Sequence, residues 1–188
     1  IRAVKLYPAG VTTNSASGVS NFERVRPVLE RMAEIGCPLC VHGEVTDDAV
    51  DIFDREAAFL ERELSLVCER FPELKVTVEH ISTSNGIDFV KAHPQVGGSI
   101  TPHHLSRNRS DMISPAFHAD LFCKPVINSE QDRLTLVETA ISGDPSFFLG
   151  TDSAPHLTKD KIQHESLKAG IFSSPLKYDI VDERVGPS

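Results

Sequence analysis

Short apolar runs alternate with longer amphipathic ones along this chain. Residues 2–7, 38–42, 74–80, 98–102 and 146–151 are brief, apolar and rich in branched side chains, as parallel strands buried on both faces are. A weaker strand candidate spans 120–126. Between the runs, apolar positions recur at helical spacing. Val25, Val28, Leu29, Met32 and Ile35 form one stripe, stopped by Gly36. Leu60, Leu64, Val67, Cys68 and Phe71 form a second before Pro72, and Leu134, Val137 and Ile141 a third, ended by Gly143. Such alternation predicts a parallel sheet with right-handed crossovers. No glycine-rich phosphate loop follows a strand, so a nucleotide-binding fold lacks its sequence support.

The polar residues narrow the architecture. Strand 2–7 carries Lys5, strand 38–42 ends at His42, strand 74–80 ends at His80, and strand 146–151 runs into Asp152. A (β/α)8 barrel builds its active site from the carboxyl ends of several strands in this way. A whole barrel needs roughly 200 residues or more. Five or six strands are legible, and residues 1–7 already read as a strand without lead-in. The expectation is therefore one α/β barrel domain over 1–188 that is incomplete, lacking its opening strands.

Composition removes other classes. The 188 residues are 40% apolar and 24% charged, ordinary for a globular protein. A net charge of −8 argues against nucleic acid or an anionic membrane as partner. There is no apolar run of about 20 residues to span a bilayer, and the opening does not read as a secretory leader. Cys37, Cys40, Cys68 and Cys123 lie in apolar stretches and read as reduced, buried thiols of a cytoplasmic protein. Cys37-Pro38-Leu39-Cys40 overlaps a strand start and has no second pair, so it is not read as a redox or zinc motif.

A lone histidine after an apolar strand is more often a hydrogen-bonded core residue than a ligand. Two at successive strand ends, His42 and His80, suit zinc with a coordination position left for water. Asp152 alone would read as a helix cap. Beside the histidine pair it reads as a metal ligand that also takes a proton, with His156 on the loop above. Lys5 is costly in a barrel strand unless its charge is removed or paired. It could form a Schiff base, react as the neutral amine with carbon dioxide to give a metal-bridging carbamate, or snorkel from an edge. Residues 8–15 suit a mobile lid or an ordinary loop. Of His103 and His104, one could reach the mouth while the other packs, and His93, His118 and His164 read as surface residues.

Six segments in order carry a resemblance. They are Val4-Lys5-Leu6-Tyr7-Pro8-Ala9-Gly10 with Thr12-Thr13-Asn14-Ser15; Val41-His42-Gly43-Glu44-Val45-Thr46; Asp51-Ile52-Phe53-Asp54-Arg55-Glu56; Glu79-His80-Ile81-Ser82-Thr83; Ile100-Thr101-Pro102-His103-His104-Leu105 with Arg107-Asn108-Arg109; and Phe148-Leu149-Gly150-Thr151-Asp152-Ser153-Ala154-Pro155-His156. Together they resemble the single-function, bacterial-type dihydroorotases of the amidohydrolase superfamily. The resemblance implies two zinc ions bridged by carbamylated Lys5. His42 and His80 would bind one and Asp152 the other, while a His-x-His pair of an earlier strand completes the site. It further implies that Thr12 and Thr13 belong to the loop closing over substrate, and that His156 and the backbone of Ala169 hold the substrate carboxylate. At Lys124, where the family usually has leucine, the backbone would touch the pyrimidine ring. Residues 157–168 depart from the family pattern by lacking its Cys-Gly-Cys run. The implied reaction interconverts dihydroorotate and carbamoyl aspartate in pyrimidine biosynthesis, in a homodimer. Competing readings are a hydantoinase or allantoinase, a metal-free Schiff-base aldolase using Lys5, and a truncated homologue kept as a non-catalytic binding partner.

Overall fold

A computed structural model of the chain describes residues 1–12, 15–162 and 167–174. Five strands, β1 (Val4–Leu6), β2 (Leu39–His42), β3 (Val76–Glu79), β4 (Val96–Ile100) and β5 (Phe147–Leu149), form one sheet in sequence order. Every pair is parallel. The helices are α1 (Phe22–Glu34), α2 (Arg55–Phe59), α3 (Ser65–Arg70), α4 (Ser84–Ala92), α5 (Pro102–Ser106), α6 (Arg109–Ile113), α7 (Glu130–Ile141) and α8 (Thr158–Ile162). A π-helical turn at Leu60–Leu64 joins α2 to α3 without a break.

Local chemistry sets the helix ends. The Asn21 side chain caps α1 by accepting from Glu23 N, and Gly36 closes it at φ +64. Thr83 caps α4 and Ser129 caps α7, which Gly143 follows at φ +75. Both glycine stops fall where the pattern places them.

The strands alternate between two environments and are not buried uniformly on both faces. Leu39, Val41, Val76 and Val78 are buried and share one core with Leu29 and Met32 of α1 and with Phe59, Leu60 and Leu64. Each such side chain contributes roughly 1.5–3 kcal/mol by leaving water. The intervening positions, Lys5, Cys40, Thr77, Glu79 and Gly97, are half-buried and lie on the opposite face.

Several sequence expectations shift. Residues 120–126 form no strand: Ala119–Leu121 is a 3-10 turn and irregular backbone follows, because Pro125 cannot donate to a ladder. β4 starts at Val96 and runs through Gly98, where a Cβ would stand 2.4 Å from Ile81 Cδ1, so the bare backbone lets Ile81 pack. On α7 the buried residues are Leu136 and Thr139, with Val137 half-buried, whereas Leu134 and Ile141 are exposed. This helix packs on α4 and α5 through a narrower face than its apolar stripe. Among the described residues, no helix is long and apolar enough to cross a membrane.

Candidate active site at the carboxyl ends of the strands

Strand register brings the polar residues together. Lys5 lies beside Cys40, and His42 beside Glu79, the residue before His80. Asp152 follows β5 by three positions. At this end of the sheet lies a cleft of about 450 Å³ lined by Lys5, Thr12, His42, His80, Lys124, Asp152, His156 and Ala169. Those are the residues singled out from sequence, except Thr13, which lies outside the described residues. Tyr7, Ser15, Glu79, Ala154 and Gly170 complete the lining.

The two imidazoles meet edge to face, with ring centroids 4.6 Å apart. Glu44 Oε2 lies 2.5 Å from His42 Nε2, with both side chains buried, so it fixes the ring and leaves Nδ1 as the other nitrogen. His80 donates its backbone N–H to Ser99 Oγ at 2.9 Å, while its own Nδ1 is buried without a hydrogen-bond partner. Burial pushes the His80 pKa well below its ordinary value, and His42 and Lys5 push it the same way. A neutral imidazole with an unsatisfied ring nitrogen is what a metal ion requires. His80 (φ +47) and Asp152 (φ +41) are the two non-glycine residues with left-handed backbone among those described. That conformation costs an L-residue roughly 1–2 kcal/mol, and such strain gathers at functional sites.

Lys5 pairs with Glu79, a partner not picked out in the sequence, and its Nζ also lies 5.0 Å from the Tyr7 ring centroid. Burial lowers its pKa to about 8, against the pull of Asp152 and Cys40. Desolvation raises the Asp152 carboxyl, while Lys5 and His42 oppose it. Glu79 and Glu44 were missed in the sequence, although Glu79 shares the strand parity of Lys5 and Glu44 stands two residues past His42.

Above the site, Thr12 N donates to Ser15 Oγ at 2.9 Å, and Lys124 Nζ donates to Val11 O at 2.8 Å. The Lys124 side chain therefore reaches this loop. His156 Nε2 lies 3.0 Å from Ala169 O, which places side by side the two residues expected to meet the substrate carboxylate.

The chain is 54% identical over 177 residues to a dihydroorotase of Ruegeria pomeroyi, covering 94% of this chain and 51% of that one. It is 55% identical over 177 residues to a dihydroorotase of Chelativorans sp., at 93% and 51% coverage. The chain belongs to the dihydroorotase family. It spans about half the length of the curated relatives it matches. The crystal structure of a Campylobacter jejuni dihydroorotase superposes with TM-score 0.87 at 38% identity, covering 97% of this chain and 52% of that one. A Saccharomyces cerevisiae dihydroorotase in complex with 5-fluoroorotic acid gives TM-score 0.87 at 34% identity, with 97% and 55% coverage. The five-stranded sheet is thus part of a dihydroorotase-type barrel. No family model matches the chain.

In this dihydroorotase-family chain a second group of donor atoms, on His103, His104 and Cys123, lies within 4.8 Å of one another. His104 is already satisfied, by Thr101 Oγ1 at 2.7 Å and Pro125 O at 3.1 Å, whereas both ring nitrogens of His103 are buried without a hydrogen-bond partner. Neither histidine lines the cleft, so the expectation that one reaches the mouth does not hold. His118 is exposed, His93 is half-buried and stacks on Phe89, and His164 lies outside the described residues. All four cysteines are free thiols; Cys68 and Cys123 are buried and Cys37 and Cys40 half-buried.

Proposed function

We propose that the complete protein is a zinc-dependent dihydroorotase, reversibly hydrolysing the cyclic amide of dihydroorotate to N-carbamoyl-L-aspartate. The observation that carries this reading is the cleft at the strand ends, where Lys5, His42, His80 and Asp152 converge with His80 and Asp152 in left-handed backbone. The donor set fits zinc: two imidazoles, one with an unsatisfied buried nitrogen, a carboxylate, and an amine whose lowered pKa makes the neutral form that takes up carbon dioxide easier to reach. His42 and His80 would hold one ion, Asp152 the other, and carbamylated Lys5 both. The ions would supply Lewis acidity toward the ring amide carbonyl and acidify water near neutral pH.

The chain's own residues do the rest. Asp152 takes the proton released by the attacking water and delivers it to the leaving ring nitrogen, reversing both transfers in ring closure. His156 and the Ala169 backbone hold the substrate carboxylate, and the Lys124 backbone touches the ring. The loop with Thr12 and Thr13 closes over the site and excludes water. The partner is this small substrate in the cytoplasm, without nucleic acid or membrane, in a single-domain barrel that pairs as a homodimer. Dihydropyrimidinase and hydantoinase structures share the fold at 15–20% identity, for example Brevibacillus agri dihydropyrimidinase at TM-score 0.77 and 16%, and carry the fold alone.

The test is ring opening of dihydroorotate, followed by loss of ultraviolet absorbance, in the full-length enzyme supplied with zinc and bicarbonate. Turnover in the wild type that vanishes in Lys5→Ala and Asp152→Asn is expected. A folded, zinc-loaded enzyme that leaves dihydroorotate intact refutes the assignment.

A further inference from the structure

We infer that Lys161 is a positioning residue that fixes the carboxylate-binding wall of the cleft without touching substrate. This deepens the dihydroorotase reading and rests on it. Lys161 lies on α8, in the stretch 157–168 that departs from the family pattern, and does not line the cleft. It is only 4% exposed, which is rare for a lysine. Its Nζ donates to Phe122 O at 3.0 Å, Lys168 O at 3.2 Å and Gly170 O at 2.8 Å. An ammonium has three donors, and here each meets a carbonyl. Burial lowers its pKa, while Cys123 and Asp120 oppose that shift.

Of the three carbonyl residues, Gly170 lines the cleft, and the other two stand within two positions of residues that do. Lys168 and Gly170 flank Ala169, whose own carbonyl holds His156 Nε2, and Phe122 lies two residues before Lys124. Gly170 N also donates to Phe122 O at 2.9 Å, so the two segments are stitched together at the ammonium. The wall is packed without slack: a Cβ on Gly170 would stand 2.6 Å from Ala154 Cβ and 3.0 Å from His156 Nε2. Any shift of 168–170 therefore reaches His156 and Ala154 directly. Lys161 thus sets where the carboxylate is held, and with it the preference for a carboxylate-bearing ring.

The experiment compares wild type, Lys161→Gln and Lys161→Arg in the full-length zinc enzyme, with dihydroorotate and with 5,6-dihydrouracil, the same ring without the carboxylate. Misplacement by an ångström costs up to about 100-fold, so Lys161→Gln is expected to raise the KM for dihydroorotate at least about tenfold, with kcat and zinc content little changed. Selectivity over dihydrouracil should fall with it. Lys161→Arg keeps the charge but has a head too large to seat on all three carbonyls, and should give an intermediate KM. An unchanged KM, or KM, kcat and zinc content all deteriorating together as general loosening would produce, overturns the proposal. If Lys161→Gln does not fold, Lys161→Arg decides: a wild-type KM in that variant overturns it. Wild-type enzyme without dihydroorotate turnover refutes the underlying reading instead, before any variant is compared.

Discussion

Replacing Glu56 by Gln should destabilise the protein more at pH 5 than at pH 8. Glu56 is 3% exposed, and its carboxylate accepts from Ser82 N and Ser82 Oγ, each at 2.8 Å, from Thr83 N at 3.1 Å and from Thr83 Oγ1 at 2.5 Å. Two effects compete. Gln keeps the size but turns one oxygen into an amide donor facing a buried backbone N–H, which costs about 1–3 kcal/mol at any pH. Against that, burial raises the Glu56 pKa from 4.5 to about 7, with Glu44 adding to the shift and the Thr83 and Ser82 donors opposing it. A carboxyl whose folded pKa lies above its unfolded one contributes stability that is present below pH 4.5 and lost as pH rises through 7. Between pH 5 and pH 8 that loss is about 2.5 kcal/mol, and Gln does not share it. Urea unfolding of the full-length wild type and Glu56→Gln at both pH values measures the difference. If the penalty is flat across this range, or grows with pH, then the four donors hold the carboxylate ionised and the argument from burial is wrong.

Three further outcomes are expected. Asp152→Asn should lower kcat by about 10²- to 10⁴-fold, the usual worth of a positioned proton-transfer group; appreciable turnover would remove Asp152 from proton transfer. Lys124→Leu deletes the bond to Val11 O, worth about 1 kcal/mol, so amide hydrogen exchange in residues 9–12 should quicken about fivefold, whereas unchanged protection would mean the bond does not restrain the loop. The chain expressed alone should bind 1-anilinonaphthalene-8-sulfonate more strongly than the full-length protein. Ile1, Val28 and Ile35, near the β1 edge, and Phe148 and Leu149 on β5 are exposed, and equal dye fluorescence from the two would count against their being covered in the longer chain.

The cleft was legible because its chemistry is written one residue per strand end. His42, His80 and Asp152 stand where an apolar run stops, Lys5 interrupts one, and parallel register carries them to one end of the sheet. Other features were hidden for physical reasons. A π-turn preserves the apolar spacing of Leu60, Leu64 and Val67, so residues 55–70 read as plain helix. Glu56 looks like a surface acid, yet it lies four residues before Leu60 on the same stripe and closes one of the segments that carry the family resemblance. Lys161 has none, since a five-residue helix shows no periodicity and its acceptors are backbone carbonyls. The run at 120–126 misleads because buried apolar coil and strand share a composition once Pro125 is ignored.

The strained residues and their supports share one design. His80 leaves β3 in left-handed backbone, held on one side by Ser99, whose hydroxyl takes His80 N–H and whose carbonyl takes Ile81 N–H at 2.9 Å. On its other side Glu56 fixes Ser82 and Thr83. Asp152 is flanked in the same manner: Ser173 Oγ donates to Thr151 O at 2.9 Å, and Ser173 N donates to Ser153 Oγ at 3.2 Å. Strain of roughly 1–2 kcal/mol at each residue is about what one or two such bonds return. None of Ser99, Glu56 and Ser173 lines the cleft. Weakening any of them should therefore change the direction in which His80 or Asp152 points before it removes a group that meets substrate, which separates the geometry of this site from its chemistry.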